Sequence, residues 1–208
     1  MYFHHIPSAI QLLFPRYVWH KSRKEKVVYL TFDDGPVPGV TDFVLDELAL
    51  RDMKATFFMV GENIHKHPEL ARKVKAHGHQ IGNHTYNHLN GFNFTTGEYL
   101  NNFLKCQAAL DEVLDIRSNL FRAPYGRIRR KQGTGILRTH QIFMWDVIPG
   151  DFDMTRTPEY CLAKAKQHVK SGSIVLFHDQ GKTEGTLRKM LPDYLDHLRE
   201  CGYQTGTL

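Results

Sequence analysis

Two adjacent aspartates, Asp33 and Asp34, are the first residues whose type and spacing suggest chemistry. They lie in the segment 31–35, TFDDG, which follows the apolar run 27–30. A strand turns successive side chains to opposite faces, so one of the pair would enter the core as a costly buried charge unless the strand ends there. At a strand end both can face one cleft, where one carboxylate holds a cation and the other accepts a proton. The alternative is an Asp-Gly turn with a single capping carboxylate.

Two histidines, His84 and His88, follow the third predicted strand with a spacing of i, i+4. If the loop turns helical, they become neighbours on one helical face, and their imidazole nitrogens can share a metal. With an aspartate from another strand end they form a two-histidine, one-carboxylate site that leaves positions open for water and substrate. The ligand types favour zinc and leave cobalt, nickel, manganese and iron open. Taken alone, the pair also fits histidines that face solvent.

Arg122 and His178 each stand at the end of another predicted strand. An arginine there could hold a carboxylate bidentately, while the amides of the following turn face a developing oxyanion. His178 shares one face of its strand with Leu176. Asp151 follows the strand that carries Trp145, and it could orient the imidazole of His178. The alternatives are a surface ion pair for the arginine and a packing role for the histidine.

Seven short apolar or β-branched runs predict the strands that position these side chains: 27–32, 55–60, 80–82, 120–122, 141–147, 173–177 and 203–208. Five helical patterns lie between them: 40–50, 68–77, 96–114, 158–169 and 186–201. Thr95 and Glu98 fit a capping box for the third helix, and Pro192 either starts or kinks the last one.

The alternation of strands and helices indicates parallel βαβ units. About seven units in 208 residues fall short of the roughly 250 residues of a full eightfold barrel. We therefore expect an α/β fold, a smaller or incomplete (β/α) barrel, with a doubly wound open sheet as the alternative. Residues 1–25 are predicted to be an extension packed on the barrel, and residues 26–208 form the main domain. In either architecture the active site lies at the carboxyl ends of the strands.

The composition of the chain indicates which partners it can bind and where in the cell it is located. The chain is 41% hydrophobic and 24% charged, with a net charge of +5, an ordinary balance for a globular domain. The basic cluster 127–131 is short and lacks regular aromatic interleaving, which favours a solvated loop over a nucleic-acid site. No apolar run is long enough to predict a transmembrane segment. The first residues lack a basic region and a cleavage site, so we expect a cytoplasmic protein, although a cell-envelope substrate would require export.

Five short motifs, in this order, resemble those of the polysaccharide deacetylases of carbohydrate esterase family 4, which share the NodB homology domain. They are TFDDG at 31–35, HTYNH at 84–88, RAPYG at 122–126, the region of Asp151 and Phe152, and LFH at 176–178. The resemblance covers nearly the whole of residues 27–208. It implies a distorted, incomplete β/α barrel that acts as a metal-dependent hydrolase. Its substrate would be a chitin-like or peptidoglycan-like glycan, from which it removes N-linked acetyl groups.

The resemblance also implies a role for each matching residue. Asp34, His84 and His88 would be the metal ligands. Asp33 would be the catalytic base, and Arg122 would orient it.

The remaining implied roles concern the acid and the substrate. His178 would be the general acid, tuned by Asp151. The backbone amide of Tyr125 would help to bind the oxyanion, Leu176 would line the pocket for the acetyl methyl group, and Trp145 would contact substrate.

Two positions depart from the family pattern. Phe152 stands where a tryptophan is typical, and Ile148 stands where an earlier aspartate often occurs. Both changes alter the wall near the predicted acid. One alternative to an N-deacetylase is an enzyme that hydrolyses O-acetyl esters of a polysaccharide, or a non-sugar amide, at the same site. The other is a carbohydrate-binding protein that has lost catalysis, for which these two departures are the only sign. The sequence predicts no oligomeric state.

Overall fold

The computed structural model describes residues 3–208. Its strands are β1 to β7 in chain order: Val27–Asp33, Ala55–Met59, Gln80–Asn83, Leu120–Phe121, Gln141–Ile142, Ile174–His178 and Gln204–Thr205. Its α-helices are α1 to α8: Ser8–Leu13, Val40–Leu50, Gly61–Lys66, Pro68–Ala76, Thr96–Leu114, Arg130–Ile136, Pro158–His168 and Glu184–Glu200. Three short 3₁₀ turns complete the described part: Gly91–Asn93, Pro124–Gly126 and Gly181–Thr183.

The strands form one parallel sheet in the order β5-β4-β3-β2-β1-β6, and β7 pairs with the first residues of β1. Shortly after β5, Val147 makes a parallel bridge to Val175 in β6, so the two edges of the sheet approach each other. In a barrel the strands follow one another in chain order and the sheet curls until its edges meet. In a doubly wound sheet the strand order reverses partway across the sheet. The prediction of an incomplete β/α barrel is confirmed.

Strand β1 lies inside the sheet and divides its side chains between two faces. Phe32 points toward the helices, where its ring stacks on Phe57 at 5.2 Å and on Phe177 at 5.5 Å. Burial of each such ring contributes about 1.5–3 kcal/mol. Thr31 and Asp33 alternate with it and lie on the other face. The core that anchors β1 thus fixes which of its polar residues enters the barrel interior.

Residues 3–25 run along the barrel before β1 begins. Val18 bridges to Phe143, and Arg23 forms a 2.7 Å ion pair with the buried carboxylate of Asp146. Helix α1 contributes no buried residue. The division of the chain at residues 25 and 26 stays a prediction. Of the helices between residues 3 and 208, none has the length and apolar character needed to cross a membrane.

The fifth predicted strand, 141–147, is much shorter than expected and ends at Ile142. The carbonyls of Phe143 and Met144 accept hydrogen bonds from Nε and Nη2 of Arg122, at 3.2 and 2.9 Å. These two carbonyls thus bind a guanidinium from the barrel interior, while the amides of Phe143 and Met144 donate to the carbonyls of Phe121 and Val18.

Most helices begin and end near their predicted bounds. The capping box of Thr95 and Glu98 is confirmed at the start of α5. Pro192 lies inside α8, which begins earlier than predicted, at Glu184. The pattern missed the short helices α1, α3 and α6, which are only six or seven residues long.

Candidate active site

Asp33 and Arg122 form a buried ion pair inside the barrel. The Asp33 side chain is 4% exposed and that of Arg122 is 0% exposed, and Nη1 lies 2.8 Å from Oδ1. Nη1 also donates to Thr31 Oγ1, while the other guanidinium nitrogens donate to backbone carbonyls. The predicted bidentate contact is therefore wrong, since only one nitrogen reaches the carboxylate. The other oxygen of Asp33, Oδ2, lies 3.7 Å from His84 Nε2.

Asp34 immediately follows β1 and has a left-handed backbone with φ of 87°. That conformation breaks the strand alternation, so the neighbouring carboxylates of Asp33 and Asp34 can both line one cleft. Its side chain accepts a hydrogen bond on Oδ2 from Gln180 Nε2 at 2.5 Å, and its carbonyl accepts one from Asn63 Nδ2 at 2.8 Å. These two hydrogen bonds fix the orientation of the Asp34 side chain, with Oδ1 directed away from Gln180.

Asp179 lies behind this turn, and no sequence motif indicated a role for it. Its carboxyl accepts from the Gly35 amide at 3.1 Å and from Thr41 Oγ1 at 2.6 Å. Burial raises the pKa of Asp179 to about 8, although these hydrogen bonds lower it. A Cβ on Gly35 would lie 2.1 Å from Asp179 Oδ2, so only glycine allows this close approach.

His84 and His88 lie in an irregular loop and not on a helical face, so the helical alternative for this segment is wrong. Thr85 and His88 have φ values of 62° and 54°, which no α-helix accommodates. Nevertheless the two imidazole centroids are 5.1 Å apart. Four of the six non-glycine residues with positive φ in the described chain are Asp34, Thr85, His88 and Tyr125, so backbone strain concentrates here.

Asp34, His84 and His88 converge on one point. Each offers a ligand atom, and the three atoms lie within 4.8 Å of one another. Nε2 of His88 and of His84 lie 2.9 and 3.5 Å from Asp34 Oδ1. That oxygen is buried and accepts no well-directed hydrogen bond within residues 3–208. His84 Nδ1 lies 2.8 Å from the Arg122 carbonyl, which can only accept, so Nδ1 carries a proton, and in the neutral ring the lone pair is on Nε2.

This donor set fits a divalent metal site. Two imidazole nitrogens and one carboxylate oxygen are ordinary ligands of such cations. The contact of His84 Nδ1 with a carbonyl fixes the ring, as is usual for metal-binding histidines. Burial raises the pKa of Asp34, but the close approach of His84 and His88 and the positive charge of His178 outweigh it and hold that pKa well below its usual value. The carboxylate is therefore ionised at neutral pH.

His178 ends β6 and is the in-register neighbour of Asp33. Its Nδ1 lies 3.1 Å from Asp151 Oδ1, and its backbone amide donates to Asp151 Oδ2 at 2.7 Å. Burial lowers the pKa of His178, but the charge and hydrogen bond of Asp151 prevail, with smaller help from Asp34 and Asp33, and raise it to about 9. The ring of Phe152 meets the imidazole edge-on at 5.3 Å, so the departure from the family pattern leaves an aromatic contact in place.

A cleft of about 670 Å³ exposes these groups. Leu176, Trp145 and Tyr125 line it as predicted, and so does Ile148. The indole N–H of Trp145 is buried without a hydrogen-bond partner in the described chain. Tyr125 is 62% exposed, and its ring meets that of His88 edge-on at 4.6 Å.

The structure thus brings together all ten residues singled out from the sequence, either on the cleft or in direct contact with a residue that lines it: Asp33, Asp34, His84, His88, Arg122, Tyr125, Trp145, Asp151, Leu176 and His178. It adds Gln180, Asn63 and Asp179, which hold the aspartate turn. The position of Gln180 two residues after His178 was the only sequence signal for its proximity.

Known proteins resemble this chain along most of its length. The sequence profile described as polysaccharide deacetylase matches residues 20–138. A peptidoglycan-N-acetylglucosamine deacetylase of Bacillus cereus is 33% identical over 201 residues, which cover 91% of this chain and 90% of that protein. The peptidoglycan-N-acetylglucosamine deacetylase PgdA of Listeria monocytogenes is 32% identical over 188 residues, which cover 90% of this chain but 39% of that protein.

A solved structure extends the similarity to three dimensions. It is the crystal structure of the Bc1960 peptidoglycan N-acetylglucosamine deacetylase in complex with 4-naphthalen-1-yl-N-oxidanyl-benzamide. The TM-score is 0.87 at 29% sequence identity, over 98% of this chain and 95% of that one. Because the profile covers more than half of the chain and the Bacillus cereus relative is similar across nine-tenths of it, the chain belongs to the polysaccharide deacetylases of carbohydrate esterase family 4.

Proposed function

We propose that this protein is a metal-dependent hydrolase that removes N-linked acetyl groups from a peptidoglycan-like glycan. The proposal rests on one observation: three groups of residues meet in one cleft. These are a triad of metal-ligand type, a carboxylate held by a buried arginine, and an imidazole held by a second carboxylate. Hydrolysis of an amide needs electrophilic activation, a base and an acid, and each group supplies one of them. The relatives named as peptidoglycan-N-acetylglucosamine deacetylases support the glycan class.

Asp34, His84 and His88 would hold the divalent cation, and this ligand set favours zinc. A cation bound there would polarise the acetyl carbonyl and lower the pKa of water toward about 7. The Gln180 hydrogen bond on Oδ2 of Asp34 leaves Oδ1 as the atom directed at the two imidazoles.

Asp33 would take the proton from the attacking water. Arg122 fixes Oδ1 of this carboxylate, so that Oδ2 is the oxygen left to accept the proton. Because the guanidinium is itself held by two carbonyls and by Thr31, the base is positioned before substrate arrives.

His178 would donate a proton to the departing amine. An amine is a poor leaving group unless it is protonated, and Asp151 raises the pKa of His178 to about 9, so the imidazolium is present at neutral pH. This charge state supports an N-acetyl substrate over an O-acetyl ester, whose leaving group needs less help.

The rest of the cleft would recognise the acetyl group and the sugar. Leu176 is 2% exposed and lies two residues before His178, on the same face of β6, so it offers the acetyl methyl group an apolar wall. Trp145 also lines the cleft and would contact the substrate. The backbone amide of Tyr125 would face the developing oxyanion.

Acetate release tests the proposal. Metal-reconstituted protein is assayed on N-acetylglucosamine oligomers, peptidoglycan glycan strands and acetylated xylan, with and without chelator, and with Asp33→Asn as the control. We expect acetate from the first two substrates, loss of activity in chelator, and a fall of about 10²- to 10⁴-fold in the variant. A near wild-type rate for Asp33→Asn would contradict the base assignment. Release from xylan alone would favour an O-acetyl esterase.

A further inference from the structure

Positive charge is unevenly distributed along the chain. Residues 116–145 contain seven Lys and Arg residues and no Asp or Glu. The other 178 residues contain 20 Lys and Arg against 22 Asp and Glu, so the whole excess of positive charge comes from this one segment. Arg122 is the only member of the seven with a place in the catalytic centre described above.

Five of the others lie on and beside helix α6 and are exposed: Arg127, Arg129, Arg130, Lys131 and Arg138. We call these five residues the cationic face. None of them forms an ion pair with a carboxylate of residues 3–208. Arg129 instead donates to the carbonyl of Phe92 at 2.5 Å. Unpaired cations close together repel each other, and an anionic ligand that binds among them relieves this repulsion.

The cationic face is continuous with the catalytic cleft. Arg127 lines the cleft, as does Lys182 on another loop, and neither side chain has an ion-pair partner in the described chain. A separate surface groove of about 490 Å³ is lined by Arg130, Lys131 and Arg138, which follow Arg127 in the chain. Arg127 thus lines the cleft and lies three residues before the first arginine of this groove.

Hydrogen bonds hold the backbone around the start of helix α6 in place. The buried side chain of Gln132, in α6, donates to the Gly91 carbonyl at 2.9 Å and accepts from the Arg129 amide at 2.8 Å. The Gly91 amide donates to the Arg127 carbonyl at 3.1 Å. The cations are thus presented from a fixed scaffold, which reduces the ordering cost when they bind a ligand.

We propose that the cationic face binds carboxylate groups of the same glycan strand whose acetyl group occupies the cleft, so that the preferred substrate is a polyanionic glycan. This inference rests on the proposed function. Arginine forks match carboxylates well, and a row of like charges beside a cleft raises the local concentration of an anionic substrate. A neutral chitin-like strand gains nothing from the face.

The test removes three charges that lie outside the cleft. The variant is Arg130→Gln/Lys131→Gln/Arg138→Gln, and Arg129 stays because its guanidinium holds a loop carbonyl. The matched control loses three positive charges from exposed lysines outside the segment: Lys24→Gln/Lys170→Gln/Lys189→Gln. Two strands of equal length are compared, neutral N-acetylglucosamine oligomers and peptidoglycan glycan strands that carry lactyl carboxylates. Direct binding by calorimetry and acetate release are both measured, at 20 and 300 mM salt.

In the variant we expect affinity for the carboxylate-bearing strand to fall by roughly 5-fold or more at low salt, since three exposed ion pairs are lost. Salt at 300 mM should remove most of that difference. The neutral strand and the control variant should change by less than about 2-fold. Equal losses on both strands, no loss on either, or an equal loss in the control would overturn the inference. Stronger competition by duplex DNA than by the anionic glycan would assign the face to nucleic acid and overturn it too.

The two readouts separate this inference from the proposed function. Tight, charge-dependent binding of the anionic strand without acetate release would contradict the deacetylase and support the cationic face. Acetate release with equal affinity for both strands would support the deacetylase and contradict the cationic face.

Discussion

Replacing Asp151 with asparagine should move the pH dependence of acetate release, because this carboxylate keeps His178 protonated. Asp151 Oδ1 lies 3.1 Å from Nδ1 of His178, and the Asp151 side chain is 0% exposed. Asp151→Asn removes the negative charge while keeping the shape of the side chain. What remains is chiefly burial, which lowers the pKa of an imidazole. We therefore expect the pKa of His178 to fall from about 9 to about 6.5 or below.

The size of the effect follows from the two protonated fractions. At pH 8 an acid with a pKa of 9 is about 90% protonated, whereas one with a pKa of 6.5 is about 3% protonated. At pH 6 the two fractions are about 100% and 76%. The activity of the variant relative to wild type should therefore fall by about 20- to 30-fold between pH 6 and pH 8. The charge of a bound cation acts on both proteins alike, so the difference between them is the quantity to compare.

The assay is kcat for acetate release between pH 5.5 and 9.5, with Asp153→Asn as a control on the same loop. The control should keep the wild-type profile. Thermal denaturation gives a second readout: the raised pKa of His178 stabilises the wild-type fold below pH about 6.5, and that contribution is lost as the pH rises through about 9. If Asp151→Asn lowers kcat by the same factor at every pH, Asp151 does not act through protonation of His178 and the reasoning is refuted.

Three further changes test other parts of the site and fold. Gln180→Ala should weaken cation binding by about 10- to 100-fold in calorimetry, because Asp34 loses the hydrogen bond that orients it; unchanged affinity would contradict this role. Arg122→Gln should lower the free energy of unfolding by about 3–5 kcal/mol in denaturant titrations, because Asp33 is left buried and unpaired; a loss below 1 kcal/mol would contradict it. Thr95→Ala should cost about 1 kcal/mol in the same titrations without changing kcat.

The sequence predicted the strands and helices that are held by strong periodic patterns. The apolar run of β1 and the capped helix α5 were identified with nearly correct bounds. Helix α6 was missed because it is only seven residues long and contains Gly133 and Gly135, which lower its intrinsic propensity. The fifth strand was predicted too long because its apolar pattern does not reveal where its pairing with β4 ends.

The site was predictable where function depends on residue type and chain order. Asp34, His84 and His88 meet as expected, although by a route that the spacing did not indicate. The i, i+4 interval suggested a helix, whereas positive φ at His88 and at the preceding Thr85 brings the imidazoles together in a loop. Such backbone conformations depend on tertiary contacts and leave little trace in a single sequence.

Contacts between distant segments were the least predictable part. The sequence placed Gln180 two residues after His178 but did not indicate that it would orient Asp34, or that Asp179 would lie against Gly35. Both contacts arise because β1 and β6 are neighbours in the sheet. Their last residues, about 145 positions apart in the chain, therefore lie side by side at the same end of the sheet. Their identification needed the strand register as well as the motifs.

Anomalous diffraction at the zinc edge, from crystals grown with zinc, tests the central claim most directly. We expect one strong peak about 2.0–2.2 Å from Asp34 Oδ1, His84 Nε2 and His88 Nε2, with Gln180 still hydrogen-bonded to Oδ2 of Asp34. A map without a peak among these three side chains, or with zinc bound only by other residues, would contradict the claim that they form the metal site of a hydrolase.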